Sequence, residues 1–294
     1  ETHSETHSIA GPAASAKSSL NDVPVTNLNF LDLFSGPYER PDSLADAMIK
    51  FGWTTAQQID NDSALGGGWQ HDVMNDSTYA RLMELAASGH WHGMMVAISC
   101  STYSPSRFFD ASKGDPNASK GPPPVRTRDC PDGLPLAQIP PQYHLELRTS
   151  NDMLRRVVNI ALAARDSPSK TTIVLENPAD YSDPAMPFYS EDLKDHGAIW
   201  RTKEIKRLRD GMGPHSLSTF AACSLGCKAR KYTTVLYTND AAAVLGPLDG
   251  PQYKCKHNGV HEETVGGRNE DGSWKSKRFA AYTDRLIARF AMAF

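Results

Sequence analysis

Phe30-Leu31-Asp32-Leu33-Phe34-Ser35-Gly36-Pro37 is the stretch on which the fold turns. A short apolar run that stops at Ser-Gly-Pro reads as a buried parallel strand entering a sharp turn. Working outward, residues 43–51 have helical spacing, and residues 54–59 form a second strand ending at Asp60. Residues 77–88 support an amphipathic helix, and residues 93–98 another buried strand. This alternation predicts an α/β fold built on a parallel sheet. Residues 145–164 restore helical spacing after a long interruption, and the strand at 172–175 is closed by Glu176-Asn177-Pro178. A strand pair around 218–223 and 232–237 and a last helix at 282–293 complete the pattern.

The remaining sequence bounds the function classes. The chain has 294 residues, 39% hydrophobic and 22% charged, the composition of a soluble globular protein with long ordered loops. Its longest apolar runs are of strand length, far short of the roughly 20 residues a bilayer requires, so no membrane partner is expected. The formal net charge of −3 supplies no global field for nucleic acid, and any such binding falls to local basic patches. Five cysteines are odd in number and too few for a secreted scaffold, which points to an intracellular, nuclear or cytoplasmic protein rather than a secreted one. Residues 1–28, with ETHS repeated, read as a flexible leader. Residues 29–215 read as the core, interrupted at 104–142 by a loop holding nine prolines, and residues 216–294 as a small, loop-rich C-terminal lobe.

Ligands of open parallel sheets sit beyond the carboxyl ends of the strands, which makes the Phe34-Ser35-Gly36 turn a candidate cofactor site. The three-glycine dinucleotide pattern is absent, which argues against a nicotinamide. Asp60 is placed to accept two ribose hydroxyls, and Asp72, at the next strand end, to reach an adenine amine; the alternative is that both are ordinary strand-end and capping aspartates. The third strand runs into Ile98-Ser99-Cys100-Ser101-Thr102-Tyr103-Ser104. Its polar neighbours favour a thiol facing the cleft over an inert core cysteine, and Glu176 emerges beside it if the two strands are neighbours. Cys223-x-x-x-Cys227 and Cys255-x-His257-x-x-x-His261 have the residue types and short spacings of a tetrahedral zinc site. The alternative is core thiols and solvated histidines. The basic run at Arg201, Lys203, Lys206, Arg207 and Arg209, with Lys228, Arg230 and Lys231, suits phosphates or a solvated helix face.

Taken in order, LDLFSGP, Asp60, SCSTYS and LENP resemble the cytosine-5 DNA methyltransferase family. The chain looks most like the compact methylase-like proteins of phages, large viruses and retroelements. Lys120-Gly121-Pro122-Pro123-Pro124-Val125-Arg126, Leu134-Pro135, Cys223-Ser224-Leu225-Gly226, Arg230-Lys231-Tyr232-Thr233 and Thr238-Asn239 extend the likeness over residues 29–294. Ser99 stands where the family has proline, and Pro37-Tyr38 where it has a second glycine. The resemblance implies a Rossmann-like methyltransferase sheet, S-adenosylmethionine as methyl donor, and DNA as partner. It implies Cys100 as the nucleophile on carbon 6 of a flipped cytosine, Glu176 on the ring nitrogen and amine, and Arg230 on the ring carbonyl. Only about fifty residues separate the Arg230 strand from the last helix, too few for a large target-recognition domain, so low sequence specificity is expected, and a monomer. A non-catalytic relative is the second expectation. An RNA cytosine methylase is a weaker third, because that family places its nucleophile in a TC motif where this chain has Glu176-Asn177-Pro178.

Overall fold

The computed structural model describes residues 27–36, 42–62, 67–108, 121–257, 261–262 and 281–294. Residues 1–26 of the expected leader, Pro37 and Tyr38, and residues 109–120 of the proline-rich loop lie outside them. The described elements are β1 (Asn29–Leu33), α1 (Leu44–Lys50), β2 (Thr55–Ile59), α2 (Asp76–Ser88), β3 (Gly93–Val96) and α3 (His144–Asp166). They continue with β4 (Thr172–Pro178), α4 (Lys203–Gly211), β5 (His215–Ala221), β6 (Tyr232–Thr238), α5 (Ala242–Leu245) and α6 (Asp284–Ala293).

One six-stranded sheet runs in the order β2-β1-β3-β4-β6-β5. Strands β1 to β4 are mutually parallel, and β6 lies antiparallel between β4 and β5. The fold is therefore α/β with a mixed sheet, compatible with a Rossmann-like architecture; the parallel expectation holds for the first four strands only. The chain leaves β1 for one side at β2 and crosses to the other side at β3. The carboxyl ends of β1 and β3 thus flank the point where strand order reverses, where such sheets open a crevice.

Period-two alternation divides the strand residues between two apolar layers. Leu31, Leu33, Met94, Val96, Ile173, Leu175 and Leu236 face the layer containing α2, α3 and α4 residues. Phe30, Met95, Val174, Val235 and Tyr237 face the layer formed with α1, α5 and α6. Asp32 and Glu176, each two residues beyond a member of the second set, are carried on that second face. Helix ends are fixed locally: the Asn75 side chain accepts from the N–H groups of Ser77 and Thr78 to start α2, and Gly89, at φ 78°, ends it.

The described C-terminal residues are built onto the same sheet as the core. β5 and β6 complete the sheet, and α5 and α6 cover its second face, because both strands are apolar on two sides and need cover on each.

Candidate active site and a thiol-imidazole cluster

The turn after β1 is built as its sequence suggests. Phe34 takes a left-handed φ of 65° and its N–H donates to the Ile59 carbonyl (2.7 Å), which swings the chain off the sheet. Gly36 follows at φ 73°, a conformation that favours glycine, and the space on its side-chain side is open. Its N–H donates to Asp60 Oδ2 (3.0 Å), and the Asp62 N–H donates to Asp60 Oδ1 (3.0 Å), so Asp60 ties the ends of β1 and β2 together beneath the crevice. Ser35 lies between, its hydroxyl 3.4 Å from the Gly36 carbonyl. Asp72 differs from expectation. It follows a short 3-10 turn rather than a strand, and its Oδ1 accepts from the Met74 N–H (2.8 Å), the capping role open to any aspartate in a tight turn.

β3 and β4 are neighbours, with Val96 opposite Leu175, so Glu176 emerges next to the segment leading to Cys100. Asn177 Nδ2 donates to the Ile98 carbonyl (2.9 Å), and the Tyr103 N–H to the Cys100 carbonyl (2.9 Å), which together shape the cysteine turn. The turn is backed by Arg126, 1% exposed, whose guanidinium lies 4.1 Å over the Tyr103 ring and donates to Thr102, Pro131, Ser150 and Asn151. His196 Nδ1 accepts from the Tyr181 N–H (3.2 Å), which leaves Nε2–H to donate to the Tyr103 carbonyl (2.8 Å). Burial lowers the His196 pKa, in keeping with that neutral tautomer.

Glu176 is 7% exposed. Its Oε2 accepts from the Tyr282 hydroxyl (3.2 Å), and its buried Oε1 has no hydrogen-bond partner among the described residues, with Lys231 Nζ 3.7 Å away. Burial pushes the Cys100 thiol up, Lys231 opposes the rise, and Glu176 adds to it. Burial also works against the Lys231 charge, but Glu176 and then Cys100 outweigh it, so the ammonium is held above its usual pKa. Asp32 is raised to about 7 by burial and by Asp60. Burial, then the charges of Glu176 and Asp32, keep the Tyr282 phenol protonated. Glu176, Cys227, Lys231, Thr233, Tyr282 and Leu286 line a narrow cleft enclosing about 20 Å³, room for one water.

Arg230 is not part of this group. It is exposed, its guanidinium 6.0 Å over the Tyr232 ring, and Lys231 is the cation facing Glu176. Alternation on β6 accounts for the exchange: Lys231 is in step with Thr233, Val235 and Tyr237, and Val235 is paired with Glu176. The basic run is largely engaged within the protein. Arg201 pairs with Asp180, Arg207 with Glu204 and Asn159, and Arg209 donates to His215.

A second cluster gathers at the turn between β5 and β6. The ligating atoms of Cys223, Cys255, His257 and His261 all lie within 4.8 Å of one another, while Cys227 turns instead to the Glu176 cleft. These four of the five expected metal ligands converge as an arrangement able to hold a metal ion.

No protein-family model matches the chain, and no curated protein matches it. The sites therefore rest on their own geometry. Sequence reasoning missed Asp32, Lys231 and Tyr282. For Asp32 the signal was a lone ionisable residue inside an apolar strand; for Lys231 it was the β6 alternation. Tyr282 carried none, since its place depends on how α6 packs.

Proposed function

We propose that the protein transfers a methyl group from S-adenosylmethionine to carbon 5 of cytosine in DNA, through a covalent bond between Cys100 and carbon 6. The observation that carries this reading is Glu176 Oε1. A buried carboxylate oxygen without a hydrogen-bond donor, beside a thiol and an ammonium group, is incomplete until a ligand supplies the donor. The amine edge of cytosine is such a donor.

S-adenosylmethionine would supply an electrophilic methyl group. The chain's residues fit it to this extent: at the strand-order reversal no described atom lies within 4 Å of where a Gly36 side chain would begin, and Asp60 holds a carboxylate at the end of β2, where ribose hydroxyls would come. Cys100, as thiolate, gives its electron pair to carbon 6; ring nitrogen 3 takes up a proton passed through Glu176 as charge develops there, and Lys231 offsets the negative charge. Carbon 5 would take the methyl group as S-adenosylhomocysteine leaves; water then takes the carbon 5 proton, nitrogen 3 returns its proton to Glu176, and the ring electrons expel the Cys100 sulfur as thiolate.

A second reading, a relative that binds without turnover, is favoured by the Tyr282 hydroxyl already seated on Glu176 and by the one-water cleft. DNA bearing 5-fluorocytosine separates the two, because fluorine blocks the final elimination. With S-adenosylmethionine present, wild-type protein is expected to form a denaturation-resistant adduct and Cys100→Ala none. No adduct, with cofactor binding demonstrated, would leave the second reading.

A further inference from the structure

We propose that Cys223, Cys255, His257 and His261 form a structural zinc site that pins the turn between β5 and β6. In a tetrahedral zinc site, with bonds of about 2.3 Å to sulfur and about 2.05 Å to nitrogen, a sulfur and a nitrogen stand about 3.6 Å apart. Cys255 Sγ lies 3.5 Å from His261 Nε2 and 3.9 Å from His257 Nδ1. With Cys223 Sγ inside the same 4.8 Å limit, the four atoms are close enough to converge on one ion after small side-chain shifts. Two thiolates and two imidazoles are a soft donor set suited to zinc and unsuited to magnesium or calcium. Four protein ligands close the tetrahedron, which leaves no position for water or substrate and makes the role structural.

The site lies where a tie is needed. Cys223 follows β5 at the start of the turn, and the residues flanking the other ligands, Cys255 and Glu262, are already tied to β6 and to that turn. The Cys255 N–H donates to the Tyr232 hydroxyl (3.2 Å), and the Glu262 N–H donates to the Lys228 carbonyl (3.1 Å). The Ala222 N–H donates to the Lys231 carbonyl (2.7 Å), so a metal held at Cys223 fixes the backbone from which Lys231 reaches Glu176.

The test uses the full chain produced with zinc supplied and assayed for bound metals. Wild type is expected to carry about one zinc per chain, and cobalt exchanged into the site to give the intense visible bands of a tetrahedral thiolate complex. Cys255→Ser and His257→Ala should lose the metal, whereas Cys227→Ser keeps it. His257 is exposed, so its variant stays informative if Cys255→Ser does not fold. Chelation should raise protease cleavage within 222–231 by about tenfold, through weakening of the local structure. Folded wild type without zinc, copper or iron in its place, or metal loss in Cys227→Ser equal to that in Cys255→Ser would each overturn the proposal. None of these readouts depends on methyl transfer, so the zinc site and the Cys100 chemistry stand or fall separately.

Discussion

Cys100 and Cys223 both lie just beyond the end of a strand, yet their surroundings differ in kind. Around Cys100 stand one carboxylate and one ammonium group, with a buried oxygen lacking a donor. Around Cys223 stand a second thiol and two imidazoles, their ligating atoms all within 4.8 Å of one another. On the proposed readings, the first is an incomplete set that an incoming base would finish, and the second a set that a single ion would complete. Residue type alone does not separate a reactive thiol from a ligating one. What separates them is which donors and charges the turn brings within reach.

The widest split between the two centres is expected from removing each thiol. Cys100→Ala should abolish the 5-fluorocytosine adduct altogether, while Cys223→Ser, compared per folded molecule, should still form it. Mass spectrometry of the denatured complex reads both, and an adduct surviving in Cys100→Ala would move the nucleophile elsewhere.

Next come the charges beside Cys100. Glu176→Gln is expected to slow adduct formation by about 10²- to 10³-fold, the usual consequence of losing one preorganised group at a reacting centre. Lys231→Met should cost about 10- to 100-fold, and Arg230→Met less than about 3-fold, because only Lys231 faces the carboxylate. Single-turnover rates give the order. Equal losses at 230 and 231 would break the assignment of the cation.

Asp32 lies on the same sheet face and gives a stability test. Its carboxyl is raised to about 7, so the folded state binds a proton that the unfolded state has released. Stability tied to this group is full below pH 3.8, the ordinary value, and falls as pH rises toward about 7. Asp32→Asn should flatten that slope and stabilise the protein at pH 8 by a few kcal/mol. Urea midpoints across pH 4 to 8 check it, and an unchanged slope would place the proton on another group.

Much of this layout is legible in the chain itself. The β1 apolar run, the Gly36 turn and the Glu176-Asn177-Pro178 strand end are local patterns, and the structure places them where alternation and turn chemistry put them. The Cys/His spacing likewise brings four ligands to one point. What is not legible depends on packing between distant segments. Asp72 is expected at a strand end, but a 3-10 turn precedes it instead, since no partner strand pairs there among the described residues. Arg230 and Lys231 are both cations at a strand entry, and only the β4–β6 register decides which one meets Glu176. The C-terminal segment looks separate because its loops are long, whereas its apolar strand faces require it to finish the sheet.

Among the residues that line the Glu176 cleft, the smallest effect is expected at Tyr282, and its sign is informative. The phenol stays protonated and donates to Glu176 Oε2, while Oε1 is left without a donor. A cytosine that presents its amine to Oε1 and a protonated ring nitrogen to Oε2 competes with the tyrosine hydroxyl for Oε2, so that hydrogen bond weakens as the base seats. Displacing a hydrogen bond to a charged group opposes entry by about 1.5 kcal/mol, a little over tenfold in affinity at most. Tyr282→Phe removes that opposition and leaves the ring that packs 5.1 Å from Phe290. The variant should therefore lower KM for DNA by about 3- to 10-fold with kcat little changed, the pattern of a group that competes with substrate rather than one that assists the reaction. A fall in kcat at constant KM would instead make Tyr282 a positioning residue that holds Glu176 for the base, and both oxygens would then have to be counted as part of the prepared site.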